Sequence, residues 1–353
     1  MLNLMKQNIK TYLQRVRSSI FWYKFIKFFI KPIYSFFWEY IINFEGKLLY
    51  ILFHSHKKLD HKYNLNKAGN DKLIIANDII LKNFSKKIYE NILKKDLIQK
   101  SFERLNSGIF NKSNINQYKS GTNAFVDDLF DELDSEIKED IVKFSINNKV
   151  YLSASKYLGV LPVVAKINVT HNIVNESKKP RASMLWHKDD FGYKSLDLFL
   201  AVSDIDENNG PLEFVKRKNS LGVFYKIHSD LENQEPGQRN KIEDSQFSNY
   251  FESNDLDRLL GVGGTALLID SFTSYHRGGN CSLHNRLMLR ISYQTPDSFT
   301  LAKKDKFVFL KYIKDKNIYN DRLSKYSLSK RYGSNLSKKL LWFYRTFHYK
   351  AKS

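Results

Sequence analysis

Sulfur chemistry is nearly absent from this chain. One cysteine, Cys281, stands among 353 residues, so neither an intramolecular disulfide nor a cysteine-built zinc site is open to it. A reducing, cytoplasmic setting is the expectation, and Cys281 itself reads as a small buried hydrophobe. Proline and glycine are also scarce, at 6 and 15 residues, which excludes collagen-like and low-complexity architectures. No long uninterrupted apolar run exists either. The aromatic stretch Phe21 to Lys31 is broken by Lys24, Lys27 and Lys31, and further on come Glu39, Glu45 and Lys47. A membrane span needs about 20 nearly charge-free residues, so no transmembrane helix is predicted. A secretory signal is not expected, because no clean small-residue cleavage site follows the interrupted apolar run.

Acidic excess is missing as well: the net charge is +20. That excess is confined to the ends. Residues 1–63 carry 11 Lys/Arg against 3 Asp/Glu, residues 303–353 carry 15 against 3, and the middle is balanced at 31 against 31. The pattern predicts a neutral globular unit, 64–302, between a basic aromatic amphipathic helical extension (1–63) and a basic helical C-terminal one (303–353). Lys24, Lys27 and Lys31 share one helical face, with Pro32 ending or kinking the helix. Such a helix suits packing on the globular unit with its lysines in solvent, with peripheral contact to an anionic membrane surface as the alternative. Nucleic acid is not an expected partner, since the lysines are mixed with bulky aliphatics and no recognition motif is visible.

What is present is a change of period along the chain. Residues 64–150 read as helical support. Ser85 is expected to cap a helix running to about Gln99, and Val126, Phe130, Leu133, Ile137 and Ile141 trace one amphipathic helix whose carboxylates form a solvated face. From Leu161 the period becomes two. Pro162 to Thr170, Leu196 to Val202, Thr265 to Ile269 and Arg286 to Tyr293 read as strands. Turns are expected at Asn208 to Pro211, Gly261 to Gly264 and Arg277 to Ser282. Residues 216–258 read as an insertion near a barrel mouth. The predicted fold is mainly β with helical flanks, its core (151–302) a double-stranded β-helix of the jelly-roll, cupin-like kind.

The chemistry concentrates in Trp186-His187-Lys188-Asp189-Asp190, answered 87 residues after Asp189 by His276 in Tyr275-His276-Arg277-Gly278-Gly279-Asn280. Side chains two apart in a strand project the same way, so His187 and Asp189 can grip one ion, and His276 would complete a face. Two imidazoles and one carboxylate suit non-haem Fe(II), because three positions remain open for a co-substrate and O2. The remaining histidines, His54, His56, His61, His171, His228, His284 and His348, read as ordinary surface or core residues.

A strand precedes this motif, and Leu198 to Leu212 follows it, with Asn208-Asn209-Gly210-Pro211 near its end. Gly264-Thr265-Ala266-Leu267-Leu268-Ile269-Asp270 then leads into His276. Taken together, Tyr151 to Pro296 resembles the phytanoyl-CoA dioxygenase-like family of Fe(II)/2-oxoglutarate oxygenases. The resemblance implies that His187, Asp189 and His276 are the catalytic metal ligands. It further implies that Arg286, ten residues past His276, holds the distal carboxylate of 2-oxoglutarate, a pairing that suits a guanidinium fork. Arg290 with Ser292 is the rival, since an Arg-x-Ser pair on one strand face serves this purpose in some related oxygenases. Asn280 and Ser282 match an Asn-x-Ser stretch after the distal histidine, and Phe199 falls where the family has an aromatic wall beside the co-substrate. One departure is Lys216-Arg217-Lys218-Asn219, where the family has a Pro-Gly-Ser-His turn. The implied activity is hydroxylation of a small-molecule or lipid-like substrate, with 2-oxoglutarate decarboxylated to succinate. An aspartate at 189 points away from halogenation, whose enzymes resemble this pattern but lack the carboxylate. The competing expectation is a catalytically degenerate barrel serving as a membrane-surface or scaffold protein.

Overall fold

The computed structural model describes residues 44–54, 72–107, 125–147, 149–174, 182–189, 195–216, 227, 242–295 and 309–328. The expectations for Lys24 to Pro32, for Leu340 to Tyr344 and for His56, His61, His228 and His348 lie outside these residues, as does the side chain of His54. Two antiparallel sheets make up the β part. The larger has the order β1 (Lys72–Ile75), β7 (Ala266–Ile269), β4 (Ser195–Ala201), β9 (Arg286–Gln294), β3 (Val163–Asn172), β2 (Val126–Asp128). The smaller runs β6 (Leu256–Arg258), β5 (Leu212–Val215), β8 (His276–Gly278).

Alternation along the strands separates two environments. Leu196, Leu198 and Leu200 of β4 and Leu287, Leu289, Ile291 and Tyr293 of β9 face a layer of helices and share one core with it. That layer includes α1 (Phe44–His54), α2 (Ile79–Lys94), α3 (Leu97–Ser107), α4 (Ser135–Asn147) and α5 (Lys149–Leu158). The opposite face, with Phe199, Ala201, Leu267, Ile269 and Met288, packs on Leu212 and Phe214 of the small sheet. Each fully buried aliphatic contributes about 1.5–3 kcal/mol, so the helix layer anchors the large sheet. Leu49 of α1 and Phe309, Leu310, Ile313, Tyr326 and Leu328 also belong to that helix-facing core. The described parts of both chain ends therefore pack into the body of the protein. Among the described residues, no helix is long and apolar enough to cross a membrane.

Several local expectations change. Helix α2 starts at Ile79, because the Asp78 carboxylate accepts from the backbone N–H of Ile80 and Leu81 at 3.0 and 3.2 Å. Ser85, expected as the cap, lies buried inside the helix and donates to Lys82 O at 2.9 Å. The helix stops at Lys94, where Asp96 takes a positive φ of 54° and a new helix begins at Leu97. The single helix expected through Val126, Phe130, Leu133, Ile137 and Ile141 is instead β2, a 3-10 turn at Phe130–Glu132, and α4 from Ser135. Phe130, Leu133, Ile137 and Ile141 are buried as expected, but the carboxylates are not all solvated: Asp127 is buried against Arg104, and Asp128 accepts from Asn168. Arg277 and Gly278 lie in β8 rather than in a turn. The region expected as an insertion contributes β6 and a short helix, α6 (Asp244–Phe247).

Candidate metal centre between the sheets

Two segments deliver the three candidate ligands. His187 follows Trp186, which is buried, stacks on Phe247 at 4.1 Å and donates its indole N–H to Asp244 at 2.9 Å. This anchors the segment, whose backbone pairs His187 antiparallel with His276. Asp189 is held by its own N–H, which donates to Ser271 O at 2.9 Å. His276 opens β8 and pairs with Phe214 of β5.

The turn before β8 is the shelf for two of them. Asp270 accepts from the N–H of Phe272 and Thr273 at 3.0 and 3.1 Å and so folds the chain back on itself. Its other oxygen receives the Tyr157 hydroxyl at 2.7 Å. The turn presents Ser271 O to Asp189 and Ser274 O to His276.

His187 Nε2 lies 3.8 Å from one oxygen of Asp189 and His276 Nε2 lies 3.8 Å from the other. One ligand atom from each of the three residues falls within 4.8 Å of the others. The imidazoles are also oriented. His187 Nδ1 donates to Leu185 O at 2.7 Å and His276 Nδ1 to Ser274 O at 3.1 Å. A carbonyl can only accept, so Nδ1 carries the proton on both rings and each Nε2 lone pair is left for an ion. The side chain of His276 is 3% exposed against 16% for His187 and 13% for Asp189, so the trio is closed from behind and reachable from one side.

Arg290 is engaged by carboxylates. Its Nη2 lies 2.5 Å from Asp189 and 2.9 Å from Asp197, and the guanidinium stacks over Phe199 at 5.1 Å. Ser271 donates its hydroxyl to Asp197, closing a ring from Asp189 backbone to Ser271, Asp197, Arg290 and back to the Asp189 side chain. Burial pushes the Asp189 carboxyl upward, but Arg290, His276 and His187 outweigh it and hold it well below the usual carboxylate range. Asp197 and Ser271 were not singled out from sequence. The available signal was a lone acid inside the apolar run Leu196 to Ala201.

Arg286 differs. It is 5% exposed, and its Nε and Nη1 are buried with no hydrogen-bond partner among the described residues. Gly278 faces it, and a Cβ there would stand 3.2 Å from Nη2, so a side chain at 278 would crowd the guanidinium. Burial pushes the Arg286 pKa down, with only the Cys281 thiol opposing. An unpaired guanidinium in such a place is expensive, and an anion would relieve it.

Of the remaining candidates, Ser292 is fully buried with an unpartnered hydroxyl on the same strand face as Arg290. Asn280 has a buried, unpartnered Oδ1 and lies beside Gly210, whose φ of 62° brings the two loops together. Ser282 donates to Asn208 O at 3.3 Å. Cys281 is buried, donating to Asn209 O at 3.0 Å, with its pKa raised by burial. His171 is buried against Ser101, and His284 pairs with Asp206 at 3.4 Å on the surface. Neither joins the trio.

No family model and no curated protein matches the chain. Solved structures do. EctD from S. alaskensis in its apoform is 13% identical, covering 68% of this chain and 80% of its own, with a TM-score of 0.42. AviO1 from Streptomyces viridochromogenes Tue57 is 13% identical, covering 69% of this chain and 98% of its own, at 0.40. A non-heme monooxygenase, the ThoJ-Ni complex, is 11% identical, covering 70% and 82%, at 0.37. With overlaps this loose, the functional reading rests on the side chains: two tautomer-locked histidines and an aspartate meeting between two antiparallel sheets.

Proposed function

We propose that this protein is an Fe(II)- and 2-oxoglutarate-dependent oxygenase that hydroxylates a small molecule, its two sheets forming the halves of a double-stranded β-helix. The phytanoyl-CoA dioxygenase-like family is the relationship its motifs resemble. The observation that carries the reading is the convergence of His187, Asp189 and His276 with both imidazoles turned Nε2-first toward a common point. Two neutral nitrogens and one carboxylate match Fe(II) and leave coordination positions for other ligands. The unpaired Arg286 guanidinium fits the distal carboxylate of 2-oxoglutarate, and the opposing Gly278 leaves the room such a ligand needs. An assembled ligand set favours an enzyme over a scaffold.

When bound, the iron and the 2-oxo acid supply oxidative decarboxylation coupled to transfer of one oxygen atom into a substrate C–H bond. The chain supplies position. Leu185 O and Ser274 O hold the imidazole protons away from the metal, and Arg290 with Asp197 and Ser271 steadies the Asp189 carboxylate. Arg286 orients the co-substrate from the buried side, while Phe199, Leu267 and Met288 keep the inter-sheet space dry.

The test is turnover of 2-oxoglutarate to succinate by purified protein supplied with Fe(II). Asp189→Ala abolishes it while the far-ultraviolet circular dichroism and melting remain those of a folded protein. Undiminished succinate formation by the variant would refute the assignment.

A further inference from the structure

Along the inter-sheet face of β9 the residues run Arg286, Met288, Arg290, Ser292. Register places Ser292 directly between Lys166 of β3 and Asp197 of β4. Lys166 is the second basic residue on this face that makes no ion pair: among the described residues no carboxylate lies within 4.0 Å of its Nζ, although Asp189, Asp128 and Asp197 are near enough to be felt. Burial, reinforced by Arg290, works against its charge. Next to it the Ser292 hydroxyl is fully buried without a partner.

The obvious internal partners are committed elsewhere. Asp197 takes Arg290 and Ser271, and Asp189 takes Arg290 and faces the two histidines. Asp128 accepts from Asn168 and from the backbone of Phe130 and Val169, and burial shifts it toward the neutral acid. Arg286 and Ser292 are six residues apart on a single strand, about 20 Å between their Cα atoms at ~3.3 Å per residue, so the two open groups stand toward opposite ends of this face. The ligand trio lies between: Gly278, two residues from His276, faces Arg286, and Asp189 touches Arg290.

Building on the oxygenase reading, we infer that the substrate carries an anionic oxygen group, a carboxylate or a phosphate, which docks on Lys166 and Ser292 on the side of the metal trio away from Arg286. The lysine, itself only half-buried, supplies the charge and the serine a directed O–H donor, and a bound anion would pair with the ammonium and give the buried Ser292 hydroxyl a partner.

The experiment loads the protein anaerobically with Fe(II) and 2-oxoglutarate, then titrates it calorimetrically with butyrate, ethyl phosphate and the neutral isostere butyramide. The wild type binds at least one acid about tenfold or more tighter than butyramide, as expected for a charge-assisted contact. The acid that binds more tightly identifies the group as carboxylate or phosphate. Lys166→Met and Lys166→Gln both erase the preference while taking up Fe(II) and 2-oxoglutarate as the wild type does, and Lys166→Arg restores it. Either neutral variant suffices if the other fails to fold. Butyramide binding as tightly as both acids, or an acid preference that survives in the neutral variants, overturns the inference. So does weakened 2-oxoglutarate binding in those variants, which would assign Lys166 to the co-substrate. Wild-type protein that takes up neither iron nor 2-oxoglutarate removes the oxygenase reading itself, and shows it before any acid is added.

Discussion

The two faces of β9 are both largely buried, Arg290 being the half-buried exception, and chemically opposite. Leu287, Leu289, Ile291 and Tyr293 enter a dry core with the helices, whereas Arg286, Arg290 and Ser292 enter the space between the sheets with charges and unpartnered polar atoms. Burial alone therefore does not separate core from site. What separates them is whether each buried polar group is answered within the chain. On the helix side the polar groups are few and mostly paired; Tyr293, for example, donates to Ser145 O at 3.0 Å. On the inter-sheet side several are left open, a cost that a ligand would offset.

Three experiments test this contrast. The largest effect is expected from Arg290→Met, which leaves the fully buried Asp197 without its cation and should cost about 3–5 kcal/mol. Adding Asp197→Leu should return part of that loss. Denaturant titration of the three proteins decides it, and a double variant no more stable than the single one would mean that packing, not charge, dominates this face.

Next is the pH dependence of His171, a buried residue on the helix side. Burial pushes its pKa down to about 4 from 6.5, with Asp127 opposing. The unfolded chain binds a proton as pH falls through 6.5, whereas the folded chain resists until about 4. Stability is thus full above the unfolded value and declines between the two, by about 3 kcal/mol in total. Melts of wild type and His171→Gln at pH 7 and pH 4.5 should diverge, with the variant less sensitive to acid; parallel losses would exonerate the histidine.

The smallest effect concerns helix α2. Asp78→Ala should cost about 1 kcal/mol through loss of the cap. Ser85→Ala, which removes only a bond to Lys82 O, should cost less, and the reverse order would reinstate Ser85 as the helix start.

Legibility in the sequence followed length and locality. Strands β3, β4 and β9 span 7 to 10 residues, enough to display alternation, and the β7 region was likewise visible after its glycine turn. Strands β2, β6 and β8 have three residues each, too few to show any period. The Val126, Phe130, Leu133 spacing imitates a helix because a strand and a 3-10 turn happen to deliver apolar residues at the same intervals. Likewise, His187 and Asp189 were readable as a pair because they are two apart, while the ring through Ser271, Asp197 and Arg290 has no local signature. With Asp189 its members come from four separate places in the chain, and their partnership arises only once the sheet and the turn after β7 are assembled.

By itself, then, the sequence determined which residue types were available and which way neighbours would point: an imidazole and a carboxylate on one side of an extended segment, and arginines on one face of a later strand. Tertiary structure decided that His276 closes on that pair, that Arg290 is taken by carboxylates, and that Arg286 and Lys166 are left open. The reason is that covalent geometry sets direction over a few residues only. Closure over 89 residues depends on backbone pairing between His187 and His276, which is created by the packing of the two sheets.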